Sequence, residues 1–164
     1  MKNPIKQSDY WDTVLDPDNR SAESRRTIDI NEEIDFYFTP AQEYAYQQMG
    51  DLKNKKILEI GCGMGINSIL LSKRGAKVFA IDLSFKRLLV VRDFLNSTDN
   101  RNIQLLHGNG ESLPYRTNTF DIIYTNAVLI HMDKSKAITE FQRVLKPGGL
   151  VILIEPLKHH PQNT

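Results

Sequence analysis

The sequence predicts an α/β protein built on a doubly wound, mostly parallel sheet with helices on both faces. Two observations lead to this fold class. From Lys55 onward, short apolar runs alternate with segments whose apolar residues recur at helical spacing, which is the pattern of repeated βαβ units. A glycine-rich turn joins the first apolar run to the first of these helices. The 164 residues of the chain correspond to about one domain.

Five apolar runs predict the strands of the sheet. They are rich in Val, Ile and Leu, as expected for parallel strands that are covered on both faces. The predicted strands are Lys56–Ile60, Lys77–Ile81, Ile103–Leu106, Asp121–Thr125 and Leu150–Ile154. Their alternation with helices indicates a Rossmann-like arrangement.

Three helical segments lie between these strands. The first follows the glycine turn and places Ile66 and Ile69 on one face. Ser84 is a suitable N-cap for the second, whose apolar positions recur at helical spacing. The third carries Val144 and Leu145 on its apolar face and is expected to end in the Lys-Pro-Gly-Gly sequence that follows.

A change of composition near Lys53 divides the chain into residues 1–52 and residues 53–164. The first part is rich in aromatic residues and is predicted to be a helical arm or a substrate lid. Its clearest element begins with Thr39, where Thr-Pro-Ala-Gln has the form of a capping box, and is expected to end at Gly50. Two interpretations of this part stay open, a packing arm and a lid, and Tyr10 with Trp11 fits either.

The composition excludes several classes of protein. Hydrophobic residues make up 40% and charged residues 25%, as in an ordinary folded domain, and the net charge of +1 gives no indication of nucleic-acid binding. The single cysteine, Cys62, cannot form an internal disulfide or complete a metal site, so no metal is expected. Because the polar N-terminal stretch has no apolar leader segment, we expect a cytoplasmic protein.

The sequence Glu-Ile-Gly-Cys-Gly-Met-Gly at positions 59–65 lies where the first predicted strand meets its helix. Glycines at alternate positions allow a tight turn in which the backbone approaches a ligand closely. The turn departs from the Gly-x-Gly-x-x-Gly fingerprint of dinucleotide-binding proteins, whose third glycine would fall at Ile66. Glu59 is expected to offer negative charge near the turn, where it would suit an ammonium or sulfonium ligand.

A second acidic residue, Asp82, ends the second strand 21 positions beyond Gly61. A carboxylate at this place in a doubly wound fold can accept hydrogen bonds from both hydroxyls of a ribose. The alternative is that Asp82 caps the helix that follows. Together with the glycine turn, Asp82 predicts a nucleoside ligand.

These residues carry a resemblance to a known family. The segments Ile-Leu-Glu-Ile-Gly-Cys-Gly-Met-Gly and Val-Phe-Ala-Ile-Asp-Leu-Ser resemble class I S-adenosylmethionine-dependent methyltransferases, and Gly-Asn-Gly-Glu at 108–111, Phe-Asp-Ile-Ile-Tyr-Thr-Asn at 120–126 and Arg-Val-Leu-Lys-Pro-Gly-Gly at 143–149 continue the likeness. Their order and spacing extend over positions 55–156. Within this family the sequence most resembles the small-molecule methyltransferases of quinone and natural-product biosynthesis.

The resemblance implies S-adenosyl-L-methionine as the cofactor and assigns residues to each of its parts. The turn at Glu59, Gly61, Cys62, Gly63 and Gly65 would surround the methionyl part. Asp82 would bind the ribose and Leu83 the adenine face, and the backbone of Gly110 and Glu111 would reach the adenine edge. Thr125 and Asn126 would lie near the amino-acid part. Where this family commonly has Asp, the chain has Asn109, whose carbonyl oxygen can still accept from the adenine amino group.

The expected reaction is methyl transfer to a small-molecule acceptor, with His131 and Glu155 as the candidate bases at the carboxyl edge of the sheet. No nucleic-acid partner and no membrane association are expected. Two alternatives stay open: a nicotinamide-dinucleotide-dependent oxidoreductase, which Glu59 and Ile66 disfavour, and a non-catalytic module that binds S-adenosylmethionine.

Few residues follow the fifth predicted strand. Methyltransferases of this class usually add two more strands beside it. We therefore expect a core that is truncated after its fifth strand or completed by a partner, and self-association through that strand, because an apolar edge offers unpaired backbone groups.

Overall fold

The computed structural model of the protein describes residues 9, 10, 12, 39–98 and 100–156. The predictions for Trp11, for the remaining aromatic residues before position 39 and for the segment after Pro156 lie outside the described residues. The helices and strands, in chain order, are α1 (Pro40–Met49), β1 (Lys56–Ile60), α2 (Ile66–Lys73), β2 (Lys77–Asp82), α3 (Phe85–Thr98), β3 (Ile103–His107), β4 (Phe120–Asn126), the 3-10 turn η1 (Leu129–His131), α4 (Lys134–Val144) and β5 (Leu145–Ile154).

The strands form one parallel sheet of five in the order β3-β2-β1-β4-β5, so the predicted fold class is confirmed. The strand order reverses between β1 and β4, and ligands of doubly wound sheets bind at the carboxyl ends of the strands at such a point. The glycine turn follows β1 there. The sheet therefore brings the ends of β1, β2 and β4 together around this turn.

Each face of the sheet has its own hydrophobic core, because successive side chains of a strand point to opposite faces. On one face, α1, α2 and α3 cover a cluster that includes Ile57, Val78 and Tyr124. On the other face, α4 covers a cluster that includes Leu58 and Phe120. Along β1 and β2, the side chains of Glu59 and Asp82 point to the same face of the sheet as Ile57 and Val78. They therefore lie on the face that α1, α2 and α3 cover.

The helix starts follow the capping residues expected from the sequence. Thr39 accepts from the backbone N–H of Gln42, and the Gln42 side chain accepts from the backbone N–H of Thr39, which completes the capping box of α1. The Ser84 hydroxyl accepts from the N–H of Arg87 at 3.2 Å and caps α3. Asp133, which was not predicted as a cap, begins α4 by accepting from the N–H groups of Ser135 and Lys136.

The last helix and the last strand differ from the prediction. The helix α4 ends at Val144, and Leu145 already has extended backbone and pairs with Phe120. The register of β5 then shifts, and pairing resumes between Ile122 and Leu150. The Lys-Pro-Gly-Gly segment is an irregularity inside the strand instead of the end of the helix, because Leu145 gains burial by packing in the second core. Among the described residues, no helix has the length and apolar character needed to cross a membrane.

Candidate functional site

The glycine turn is bound to the neighbouring strand by its backbone. The N–H groups of Gly61 and Cys62 both donate to the carbonyl of Ile81, at 2.8 and 3.2 Å, and the N–H of Gly65 closes the turn on the carbonyl of Cys62 at 2.8 Å. The turn then runs into α2, whose first residues have no side-chain cap. The end of β2 thus fixes the position of the turn.

The three glycines of the turn differ in their surroundings. A Cβ on Gly61 would lie 2.4 Å from the Val128 side chain, and one on Gly65 would lie 2.7 Å from Val91, so close packing of the protein requires glycine at both positions. At Gly63 the nearest atom would be 3.9 Å away, on Arg87. Gly63 therefore faces the open side of the turn, where a ligand has room.

Asp82 links the turn to the next helix. One carboxylate oxygen accepts from the N–H of Gly63 and the other from the N–H of Ser84, both at 2.8 Å. The side chain is buried, yet each oxygen of a carboxylate has two acceptor positions, so one on each oxygen stays available to a ribose hydroxyl. The capping interpretation of Asp82 and the ligand interpretation are compatible. Leu83, half-buried, follows directly, and its carbonyl lies 2.9 Å from His107 Nε2.

Glu59 is buried against α2, where its carboxylate accepts from the Ser68 hydroxyl. Burial raises the pKa of Glu59 to about 8, the hydrogen bond from Ser68 opposes this rise, and nearby Asp82 adds to it. The raised pKa favours the neutral, protonated carboxyl, whereas the sequence predicted a negative charge at Glu59. A cationic ligand close by would lower the pKa again.

The Cys62 thiol is buried and its pKa is raised well above the ordinary value, chiefly by desolvation. A protonated, enclosed thiol is a poor nucleophile. Cys62 contributes its backbone to the turn.

The loop after β3 organises itself by internal hydrogen bonds. The side-chain oxygen of Asn109 accepts from the N–H of Glu111 at 2.9 Å, so the oxygen and the N–H that were expected at the adenine edge are already bonded to each other. Gly110 is buried where a Cβ would lie 2.6 Å from Ile60 and 2.7 Å from Met132. Because the Glu111 N–H is engaged within the loop, the expected backbone contact to adenine falls to Gly110, beside the second acceptor position and the amide group of Asn109.

An ion pair on α4 holds the same loop in place. Arg143 donates to the carbonyls of Leu113 and Tyr115 at 2.8 and 2.6 Å, and Glu140 accepts from the N–H of Leu113 at 2.6 Å. The two side chains also bond to each other at 2.7 Å. This pair was not predicted from the sequence, although Glu140 and Arg143 are an acidic and a basic residue three positions apart on a helix.

At the end of β4, the structure separates two residues that the resemblance placed together. Thr125 is fully buried and its hydroxyl lies 3.5 Å from the Glu155 carboxylate, so its side chain packs in the protein interior. Asn126 is half-buried and accessible to a ligand. Their side chains point to opposite faces of the sheet, because they are successive residues of one strand.

Glu155 is occupied by backbone contacts. Its carboxylate accepts from the N–H groups of Val128, Leu129 and Ile130 at 3.2, 2.9 and 3.3 Å and so caps η1. These donors hold the carboxylate oxygens in place against η1, which does not favour the expected role of Glu155 as a base. His131, half-buried at the end of η1, stays a candidate.

Two contacts from the N-terminal part of the chain reach this edge of the sheet and were missed. Asp12 accepts from the Ser84 hydroxyl at 2.5 Å and from the N–H of Lys86 at 3.3 Å, at the start of α3. Gln42 and Tyr46 on α1 both donate to Asn67 at the start of α2. No local sequence pattern predicts these contacts, because the residues that form them are distant from each other along the chain.

The Rossmann-like sheet, the glycine turn and the carboxylate of Asp82 define a class I S-adenosyl-L-methionine-dependent methyltransferase domain. Residues 58–153 match the family described as "Methyltransferase domain". The chain belongs to this family. S-adenosyl-L-methionine is its cofactor, and the site fits it, with open space at Gly63, acceptor positions on Asp82 and an uncapped helix start.

Curated relatives carry the name demethylmenaquinone methyltransferase. The protein of Lactococcus lactis subsp. lactis (strain IL1403) is 34% identical over 113 residues, which is 66% of this chain and 45% of the relative. The protein of Staphylococcus aureus (strain JH9) is 36% identical over 113 residues, 66% of this chain and 46% of the relative. The chain spans less than half the length of these relatives.

Solved structures share the fold. The YcgJ protein from Bacillus subtilis is 26% identical with a TM-score of 0.65, over 70% of this chain and 50% of that one. A SAM-dependent methyltransferase from Aquifex aeolicus is 23% identical with a TM-score of 0.63, over 81% of this chain and 79% of that one. At the latter identity the likeness supports the fold alone.

Proposed function

We propose that the protein transfers a methyl group from S-adenosyl-L-methionine to a small-molecule acceptor, of the quinone type that the names of the curated relatives indicate. The observation that carries the proposal is the joint placement of Asp82 and the open side of Gly63 where the strand order reverses. We assign the cofactor part of the site to the described residues.

When bound, the cofactor supplies a methyl group already activated by its sulfonium. The protein's task is then to hold the acceptor close and in line, which requires no nucleophilic side chain. We assign the ribose to Asp82 and the amino-acid part to the turn and Asn126. Thr125 supports β4 from the interior.

The acid–base role is assigned to His131. An acceptor that reacts through a hydroxyl or a carbon acid must lose a proton, and an imidazole nitrogen can accept that proton. His131 lies on η1, the turn that Glu155 caps, so Glu155 is proposed to position the turn that carries the base.

The N-terminal residues 1–52 are proposed to flank the site as a helical arm. Asp12 lies at the start of α3 and α1 lies against the start of α2, so the described residues of this part contact the starts of two helices next to the site. A cytoplasmic location is proposed on the composition, with a single, buried cysteine.

Self-association through β5 is also proposed. Within the described residues β5 pairs with β4 alone, and its Leu150 and Leu153 side chains are 37% and 41% exposed. An apolar strand with an open edge favours pairing with another strand, and we assign this role to a second copy of the chain.

The test combines binding and turnover. Calorimetry with S-adenosylhomocysteine should detect binding to the full chain, and a radiolabelled methyl group should pass from S-adenosylmethionine to a reduced naphthoquinone. A dinucleotide carried through purification, found by mass spectrometry, would favour an oxidoreductase. Cofactor binding with no transfer to any acceptor in a broad screen would favour the non-catalytic module.

A further inference from the structure

The helix α1 is fastened to α2 by hydrogen bonds that converge on one atom. Tyr46 Oη donates to Asn67 Oδ1 at 2.8 Å, and Gln42 Nε2 donates to the same oxygen at 2.9 Å. Gln42 and Tyr46 are both buried. Donors this well enclosed keep their partner in a narrow range of positions, because an unpaired buried donor is costly.

Each donor is itself held in orientation. The side-chain oxygen of Gln42 accepts from the backbone N–H and the hydroxyl of Thr39, at 2.8 and 3.1 Å, which turns the Gln42 amide nitrogen toward Asn67. The Tyr46 ring lies 6.2 Å from the ring of Tyr124, and the Arg74 guanidinium lies 4.4 Å over it. Desolvation raises the pKa of Tyr46 far above its usual value, so its hydroxyl remains a donor.

Asn67 is placed where its position affects the cofactor. It is the second residue of α2, directly after the glycine turn and before Ser68, which bonds to Glu59. The first turn of α2 is thus held from the sheet by Glu59 and from α1 by Gln42 and Tyr46. No side chain caps this helix start, so these two attachments add to the packing of Ile69 in the first core in setting its orientation.

We infer that Gln42 and Tyr46 are positioning residues of the cofactor site, which hold Asn67 and with it the glycine turn in the orientation that receives the cofactor. This inference rests on the proposed function. Docking of α1 and binding of cofactor are then linked, and the linkage is reciprocal: loss of the α1 contacts weakens binding, and bound cofactor strengthens the docking of α1.

The test measures the affinity of the full chain for S-adenosylhomocysteine by calorimetry, well below each variant's melting temperature. Tyr46→Phe removes one donor and keeps the ring, and Asn67→Leu removes the shared acceptor. We expect Kd to rise about 5-fold for Tyr46→Phe and more for Asn67→Leu, the fold-change that corresponds to one or two ordinary hydrogen bonds. Asn67→Asp, which keeps an acceptor for both donors, should restore affinity.

The matched control is Tyr44→Phe, on the same helix but 63% exposed, which should leave Kd unchanged. Hydrogen exchange over residues 40–49 should slow on addition of S-adenosylhomocysteine in the parent and less so in Tyr46→Phe. If Tyr46→Phe and Asn67→Leu lower the melting temperature but bind as the parent does, α1 is a packing element only and the inference is overturned. If the parent does not bind S-adenosylhomocysteine, the proposed function itself fails.

Discussion

The carboxylate of Asp82 accepts a hydrogen bond of 2.8 Å from the backbone N–H of Gly63 and so joins the end of β2 to the middle of the glycine turn. The same side chain accepts from Ser84 at the start of α3. One residue therefore sets the relative position of the two segments between which a nucleoside would lie. The variants below examine this arrangement and the elements around it.

Replacing Asp82 with Ala should weaken binding of S-adenosylhomocysteine about 10- to 150-fold, the range for a lost charged hydrogen-bond partner. Asp82→Glu should lose less affinity for S-adenosylhomocysteine, because this substitution displaces the two acceptor oxygens instead of removing them. Calorimetry gives both values. Asp51→Ala is the matched control, since Asp51 also accepts from a backbone N–H but is exposed. Equal affinity of Asp82→Ala and the parent would remove Asp82 from the site.

Replacement by Ala should have different effects on stability and cofactor binding at Gly61 and at Gly63. Gly61→Ala places Cβ against Val128 at a backbone φ of +70°, and overpacking of this kind costs about 1–3 kcal/mol in free energy of unfolding. Gly63→Ala also has a positive φ but has space, so it should fold with a smaller loss and bind cofactor poorly. Thermal melts and calorimetry separate the two effects. Val128→Ala should partly rescue Gly61→Ala, and its failure to do so would argue against the contact.

Glu59 should make stability fall as the pH rises. The unfolded carboxyl loses its proton near pH 4.5, whereas the folded one retains it up to about pH 8. Between these values the folded state binds more protons, so the free energy of unfolding decreases with increasing pH. Glu59→Gln stays neutral, and its melting temperature relative to the parent should rise by on the order of 10 °C from pH 5 to pH 8 and then level off. Glu43→Gln, on exposed α1 surface, should show no such trend.

The roles of Glu155 and His131 can be separated by isosteric replacement. Glu155→Gln keeps an acceptor for the η1 amides and should retain turnover, whereas Glu155→Ala should lower the melting temperature because those amides lose their partner. His131→Ala should lower kcat about 100-fold or more with little change in S-adenosylhomocysteine affinity, as expected for loss of a general base. Loss of turnover in Glu155→Gln with an unchanged melting temperature would instead make Glu155 the base.

Self-association through β5 predicts a mass that increases with protein concentration in light scattering. Replacing the two exposed leucines, Leu150 and Leu153, with Lys should keep the protein monomeric, because charged side chains oppose strand pairing at an edge. Ile130→Lys, an exposed apolar residue on η1, serves as the control. A parent chain that stays monomeric at every concentration contradicts the proposal.

The sequence by itself determined the fold class and the order of the elements. Local patterns were sufficient for this, because apolar strands, glycine turns and caps such as Thr39 and Ser84 depend on neighbours a few positions away. The positions of the glycine turn and of Asp82 at one edge of the sheet followed from the parallel topology. The start of β5 at Leu145 was not predictable in this way, because Leu145 becomes partly buried by packing against residues that are distant in the sequence.

The tertiary structure alone decided what each polar group contacts. Burial under α2 raises the pKa of Glu59, and the Glu155 carboxylate accepts from the amides of η1, whose approach no spacing predicts. The attachment of Gln42 and Tyr46 to Asn67 likewise joins residues that are far apart in the chain. Local sequence encodes backbone conformation and amphipathic faces, whereas protonation and hydrogen-bond partners depend on the folded surroundings of each side chain.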